Sequence, residues 1–105
     1  MAVMLEISLL PSGKVGASLS DMVANALKIA RQHGVKFELN PMGTTLEGEL
    51  EVLLRVAREM HEMCFTMGYP RVQTLIKIDD RRDKDLTMEY KVKSVMEKLG
   101  AEPKV

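Results

Sequence analysis

The chain has 105 residues, 46% of them hydrophobic, and its 15 basic residues are balanced by 15 acidic ones. That length sets one domain, residues 1–105, with a modest core, and a formal net charge of zero argues against broad electrostatic capture of nucleic acid or an anionic membrane. The single Cys64 excludes an intrachain disulfide, no apolar run approaches the ~20 residues of a membrane span and no leader opens the chain, so a soluble, cytoplasmic protein inclined to self-associate is predicted.

Ala2 to Leu10 alternates, with Val3, Leu5, Ile7 and Leu9 on one face and Met4, Glu6, Ser8 and Leu10 on the other, which predicts a strand. Pro11 to Gly16 reads as a loop. A helix follows, capped by Ser18 with Asp21 in its first turn; Leu19, Met22, Val23, Ala26, Leu27 and Ala30 keep helical spacing up to a stop at Gly34. Val35 to Asn40 alternates again, Pro41-Met42-Gly43 turns the chain, and Thr44 to Glu49 returns with Thr45, Glu47 and Glu49 facing away from Leu46. A second helix is predicted from Leu50 to Met67, closed by Gly68. Arg71 to Asp79 forms a fourth strand, with Val72, Thr74, Ile76 and Ile78 opposite Gln73, Leu75, Lys77 and Asp79. The charged run Asp79 to Asp85 leads into a third helix over Thr87 to Leu99, whose apolar face is Met88, Val92, Val95 and Leu99.

The order strand, helix, strand, strand, helix, strand is a split βαβ, or ferredoxin-like, α+β pattern with an extra C-terminal helix. Both crossover helices are expected on one side of a four-stranded antiparallel sheet, over Val3/Ile7, Phe37/Leu39, Leu46 and Ile76/Ile78. The other side would carry Glu6, Ser8, Glu38, Thr45, Glu47, Gln73, Lys77 and Asp79. The first and third strands are central neighbours in this topology, so Glu6 and Glu47 come close and need a cation between them. Lys77 or Lys36 is one candidate and a bound ligand another. The second helix raises a separate question. Its charged residues fill only about 100° of arc, and its apolar remainder, with His61 inside it, calls for cover by the C-terminal helix or by another subunit.

No catalytic constellation stands out. Cys64 falls on the core side of its helix, His33 ends a helix, and neither histidine stands at metal-ligand spacing with a cysteine pair, so no metal site is expected. The Gly13-Lys14 loop lacks the spacing of a phosphate-binding loop. RNA-recognition modules share the topology but stack bases on aromatics of the central strands, where this chain has Met4-Glu6-Ser8 and Thr45-Glu47-Glu49. The charged run reads as a solvated turn with local ion pairs, or as an intersubunit or ligand-lid element.

Pro41-Met42-Gly43-Thr44 with Glu47-Gly48-Glu49, then Ala57 to His61-Glu62, then Ile76-Lys77-Ile78-Asp79-Asp80-Arg81-Arg82-Asp83-Lys84 closely resemble the small thiamine-binding protein family, related to two-repeat proteins that bind thiamine and its hydroxymethylpyrimidine half. The likeness runs from Leu5 through Lys93. It implies a ferredoxin-like domain that forms dimers and often tetramers, binds thiamine or a related pyrimidine, and carries out no established catalysis, with no cofactor. A carboxylate pair on an open sheet suits a thiazolium charge and an aminopyrimidine. The expected ligand site therefore lies on the helix-free sheet face and the adjoining turn. Glu47 is the anionic partner there and Glu6 its support. Thr44 and Thr45 supply hydrogen bonds, Met42 and Gly43 form the wall, and Lys77 and Asp79 flank the carboxylates. Two other readings remain at this point: a structural or regulatory oligomerisation module without a vitamin ligand, and an enzyme acting on a thiamine-pathway intermediate.

Overall fold

The structure, a computed structural model, describes residues 2–85 and 87–100; both ends of the expected 1–105 domain lie outside them. Seven elements follow in order: β1 (Val3–Ser12), α1 (Leu19–Gln32), β2 (Lys36–Asn40), β3 (Gly43–Gly48), α2 (Leu50–Thr66), β4 (Arg71–Asp79) and α3 (Met88–Leu99). The four strands form one antiparallel sheet in the order β2-β3-β1-β4. This is the α+β, ferredoxin-like arrangement.

Side-chain caps open α1 and α3, whereas α2 begins at Glu49 without one. Ser18 caps α1 by accepting the Asp21 amide, and Thr87 caps α3 by accepting the Tyr90 amide at 3.1 Å. After α1, Gly34 turns the chain at φ +67°, a conformation an L side chain resists. Val3, Leu5, Ile7 and Leu46 of the central strands pack under Ala26 and Ala30 of α1 and Leu53, Val56, Ala57 and Met60 of α2. A second cluster joins Met22, Cys64 and Tyr69.

Three expectations change. β1 does not end at Leu10: Pro11 and Ser12 pair with Val72 and Arg71 of β4, in a stretch where β3 no longer lies alongside, so a residue without an N–H fits the ladder. Glu49 is the N-cap of α2 rather than a strand residue. Leu39, Ile76 and Ile78 are exposed rather than covered, because they lie on the outer strands and the helices seal the middle of the sheet. α3, moreover, does not cover the wide apolar arc of α2. Its first turn bonds to the opposite sheet face, and the rest runs on with Val92, Val95 and Leu99 exposed. The molecule is correspondingly long, 46 × 29 × 21 Å. Among the described residues no helix is long and apolar enough to cross a membrane.

Candidate functional site

The β2–β3 hairpin fixes the geometry. Asn40 and Gly43 pair across the two-residue turn Pro41-Met42, and the Asn40 side-chain oxygen accepts the Met42 amide at 3.0 Å. The hairpin tip is strapped to β1, since the Ser8 hydroxyl donates to the Met42 carbonyl at 3.1 Å. Gly43 allows that approach: a Cβ there would lie 2.9 Å from the Ser8 hydroxyl oxygen and 3.1 Å from the Ile7 carbonyl oxygen.

The register then lays out two rows on the sheet face opposite α1 and α2. One runs Glu38, Thr45, Glu6, Lys77 across all four strands; the next runs Lys36, Glu47, Met4, Asp79. Glu47 thus faces Lys36, not Lys77, and Glu6 is its diagonal neighbour. The hairpin is two residues tight, and a turn of that length decides which residue of β2 meets Glu47.

Glu47 is already engaged. One carboxylate oxygen accepts the Met88 amide at 2.9 Å at the start of α3, and the other lies 3.5 Å from the Lys36 ammonium; the side chain is only 10% exposed. A carboxylate at a helix N-terminus answers both an orphan amide and the positive end of the dipole. Lys36 also bonds Glu89 of α3. That bond raises the Lys36 pKa above its usual 10.5 and lowers that of Glu89 below 4.5. Lys91 of α3 bonds Asp79. These three polar links hold α3 across the sheet face.

Between the sheet and α3 lies a hollow of about 510 Å³, lined by Glu6, Glu38, Thr45, Lys77 and Asp79, with Met4, Ile78, Met88 and Val92 as apolar wall and Lys91 at its edge. Glu6, Glu38 and Lys77 have no ion-pair partner within 4 Å among the described residues. Met42, Gly43 and Thr44 do not line it. Thr44 points to the helix side, and all three border a second, apolar hollow of about 340 Å³ under α1, with Met22, Val23 and Met60. The eight candidate residues therefore divide. Four (Glu6, Thr45, Lys77, Asp79) share the hollow, Glu47 holds its roof, and three shape the hairpin on the far side.

Glu38 and the α3 residues were missed as site members. The parity of β2 did place Glu38 on the right face, whereas α3 docks through single polar contacts that leave no periodic signal.

The remaining reactive side chains lie elsewhere. His33 bonds Glu59 at 2.6 Å, His61 bonds the Thr74 hydroxyl at 2.6 Å and meets Phe65 edge-on, and Cys64 is buried with its thiol pKa pushed up by desolvation. Arg81 pairs with Asp83, drawing that carboxyl down to about 2, and Arg82 pairs with Asp80; these are local, solvent-facing pairs. Among the described residues no group of three or more His, Cys, Asp or Glu is placed to hold a metal ion.

Comparison with protein families matches residues 5–96 to one described as thiamine-binding protein. The UPF0045 protein of Methanothermobacter thermautotrophicus is 41% identical over 95 residues, covering 90% of this chain and 96% of the relative. The UPF0045 protein YqgV of Bacillus subtilis is 41% identical over 98 residues, 90% of this chain and 94% of its own. Among solved structures, a hypothetical protein from Methanocaldococcus jannaschii superposes with a TM-score of 0.82 at 40% identity, covering 91% of this chain and 97% of the other. A Thermotoga maritima protein assigned provisionally to thiamine biosynthesis or salvage superposes at 0.75 with 25% identity, over 90% and 99% of the two chains.

Proposed function

The chain belongs to the thiamine-binding protein family, and from that premise we propose that it binds thiamine or a related pyrimidine such as hydroxymethylpyrimidine, without transforming it, in the hollow between the sheet and α3. The observation that carries this reading is the pair of carboxylates Glu38 and Glu6, flanking the Thr45 hydroxyl in one cross-strand row with no cation within 4 Å of either among the described residues, although Lys77 is the cross-strand neighbour of Glu6. A ligand with a fixed positive charge and ring amines answers that pair by charge and by charge-assisted hydrogen bonds. Met4, Ile78, Met88 and Val92 give its rings an apolar wall. Lys77 and Asp79 complete the row ends and orient the carboxylates. Glu47 serves by fixing the first turn of α3 as the roof, while Met42, Gly43 and Thr44 hold the hairpin that sets the register.

Binding without turnover is supported by the description of the family as thiamine-binding protein. Both histidines and the cysteine lie outside the hollow, engaged elsewhere. A homo-oligomer, dimer or tetramer, is part of the same reading, supported by the apolar arc of α2 that α3 leaves uncovered.

Titration calorimetry with thiamine, its phosphates and hydroxymethylpyrimidine tests the proposal. Glu6→Gln removes a charge at an exposed position, so it should lower affinity by about 1.5–3 kcal/mol, roughly ten- to a hundred-fold, with an unchanged melting temperature. No heat from the unmodified protein at millimolar ligand overturns the binder reading, and turnover of any of these compounds replaces it with an enzyme.

A further inference from the structure

The two ends of the hollow between the sheet and α3 carry opposite charge. On β2 and β1 it is lined by Glu38 and Glu6, with no ammonium group within 4 Å of either among the described residues. On β4 and α3 it is lined by Lys77 and Lys91 around a single carboxylate, Asp79. Lys91 is bonded to that carboxylate, whereas Lys77 has no ion-pair partner among the described residues. Lys77 and Asp79 stand two residues apart on one face of β4, roughly 7 Å along the strand, so both ammonium groups lie at the same end.

Lys77 is offered a partner by its own ladder and does not take it. It stands directly opposite Glu6 in the β1–β4 pairing, a position where opposite charges attract across a sheet. Both residues are exposed, and the row Glu38, Thr45, Glu6, Lys77 therefore ends two open carboxylates with an open cation. A ligand that is only a cation answers Glu38 and Glu6 but is repelled by Lys77, about one strand spacing or roughly 5 Å further on. A ligand that is only an anion meets the converse. The row is complementary to a molecule that carries both charges, its positive ring over the carboxylates and a negative group one strand beyond.

We propose that the hollow selects a phosphate monoester of the cationic ring compound over the unesterified alcohol, and that Lys77 is the residue that binds the phosphate, with Lys91 beside it. This inference rests on the ligand reading above and names the form of ligand that the same site takes. Successive strands lie about 4.8 Å apart, so the row spans roughly 14 Å from Glu38 to Lys77. A ring system covering Glu38, Thr45 and Glu6 leaves one strand step for a short arm and its phosphate. Lysine suits that end, because an ammonium on a flexible stem is a point charge that can meet a phosphate oxygen from many directions. Lys91 is already half neutralised by Asp79 and contributes less.

Titration calorimetry of the full chain with thiamine, thiamine monophosphate and inorganic phosphate tests this. The unmodified protein should bind the monophosphate roughly tenfold or more tightly than thiamine, the gain of one charge-assisted bond. Inorganic phosphate at millimolar concentration should give no heat, because Glu6 and Glu38 then stay unanswered. Lys77→Gln should bring the ratio of the two affinities close to one, and Lys77→Arg should keep it. The readout is a ratio within each variant, so a loss of stability that weakens both compounds alike does not imitate the effect. Equal affinities for thiamine and its monophosphate in the unmodified protein overturn the ester preference and leave the binder reading standing. A preference that persists in Lys77→Gln moves the phosphate contact away from this lysine and overturns the assignment. Inorganic phosphate binding as tightly as the monophosphate makes this a simple anion site and overturns the bridging role of the row. Heat from none of the three compounds removes the ligand reading itself, and this inference with it.

Discussion

Glu47→Gln separates the two uses of this carboxylate, holding α3 and meeting a ligand. The glutamine keeps an oxygen for the Met88 amide but loses the charge. A hydrogen bond to a charged acceptor contributes about 1.5–3 kcal/mol against about 0.5–1.5 for a neutral one. The charge at the α3 N-terminus adds about 0.3–1 kcal/mol, rising toward ~2 where partly buried, and this side chain is 10% exposed. These overlap, since both describe one carboxylate at one amide. The Lys36 contact at 3.5 Å contributes little, because that lysine is half exposed and screened. The expected loss is therefore about 1–2 kcal/mol of α3 docking, a roughly 5- to 30-fold rise in its opening. Hydrogen exchange of peptides spanning 88–99 reads that directly, and the core, built on α1, α2 and the central strands, should keep its melting temperature. Unchanged exchange in α3 together with a tenfold loss of thiamine affinity would refute the reasoning and assign the Glu47 charge to the ligand.

Two further outcomes follow from the same geometry. Glu89 titrates below 4.5 because it bonds Lys36; a lowered carboxylate contributes its docking stability above 4.5 and loses it as pH falls through the folded value. Carboxyl NMR should show a midpoint below 4.5 that Lys36→Gln moves up toward the usual value, and the protection factors of the α3 amides should stay constant from neutral pH to about 4.5 and fall as pH drops from there through the folded value. Gly43→Ala should destabilise the fold by about 1–3 kcal/mol, lowering the melting temperature by several degrees, because the new methyl would lie 2.9 Å from the Ser8 hydroxyl that straps the hairpin and 3.1 Å from the Ile7 backbone oxygen, which cannot swing away as a side chain can; an unchanged melting temperature would show that the strap between hairpin and β1 is slack.

The strands and helices were legible because each buries one face, and the alternation of Val3-Leu5-Ile7 or the spacing of Leu53-Val56-Ala57-Met60 records which face that is. Parity also placed Glu6, Thr45, Glu47, Lys77 and Asp79 on one side of the sheet. What was not legible depended on single contacts. Pro11 looks like a loop residue until β1 is known to have only β4 beside it there. The choice of Lys36 over Lys77 as the partner of Glu47 turns on the length of one hairpin. The position of α3 turns on one backbone amide and two ion pairs, and its amphipathic stripe, taken alone, pointed toward the uncovered side of α2.

The order of strands in the sheet differs from their order of synthesis. β1 is made before the other elements, yet it lies between β3 and β4, and its last residues find partners only in the strand that closes the sheet. A growing chain therefore carries β1 with one open edge until Arg71–Asp79 has emerged, and that edge holds Leu9 and Leu10. Contacts so distant in sequence slow closure and lengthen the interval in which an unpaired strand meets other nascent chains. α3 comes later still and attaches to a body that is already complete, so a chain stopped short of Met88 should fold, whereas one stopped short of Arg71 should aggregate.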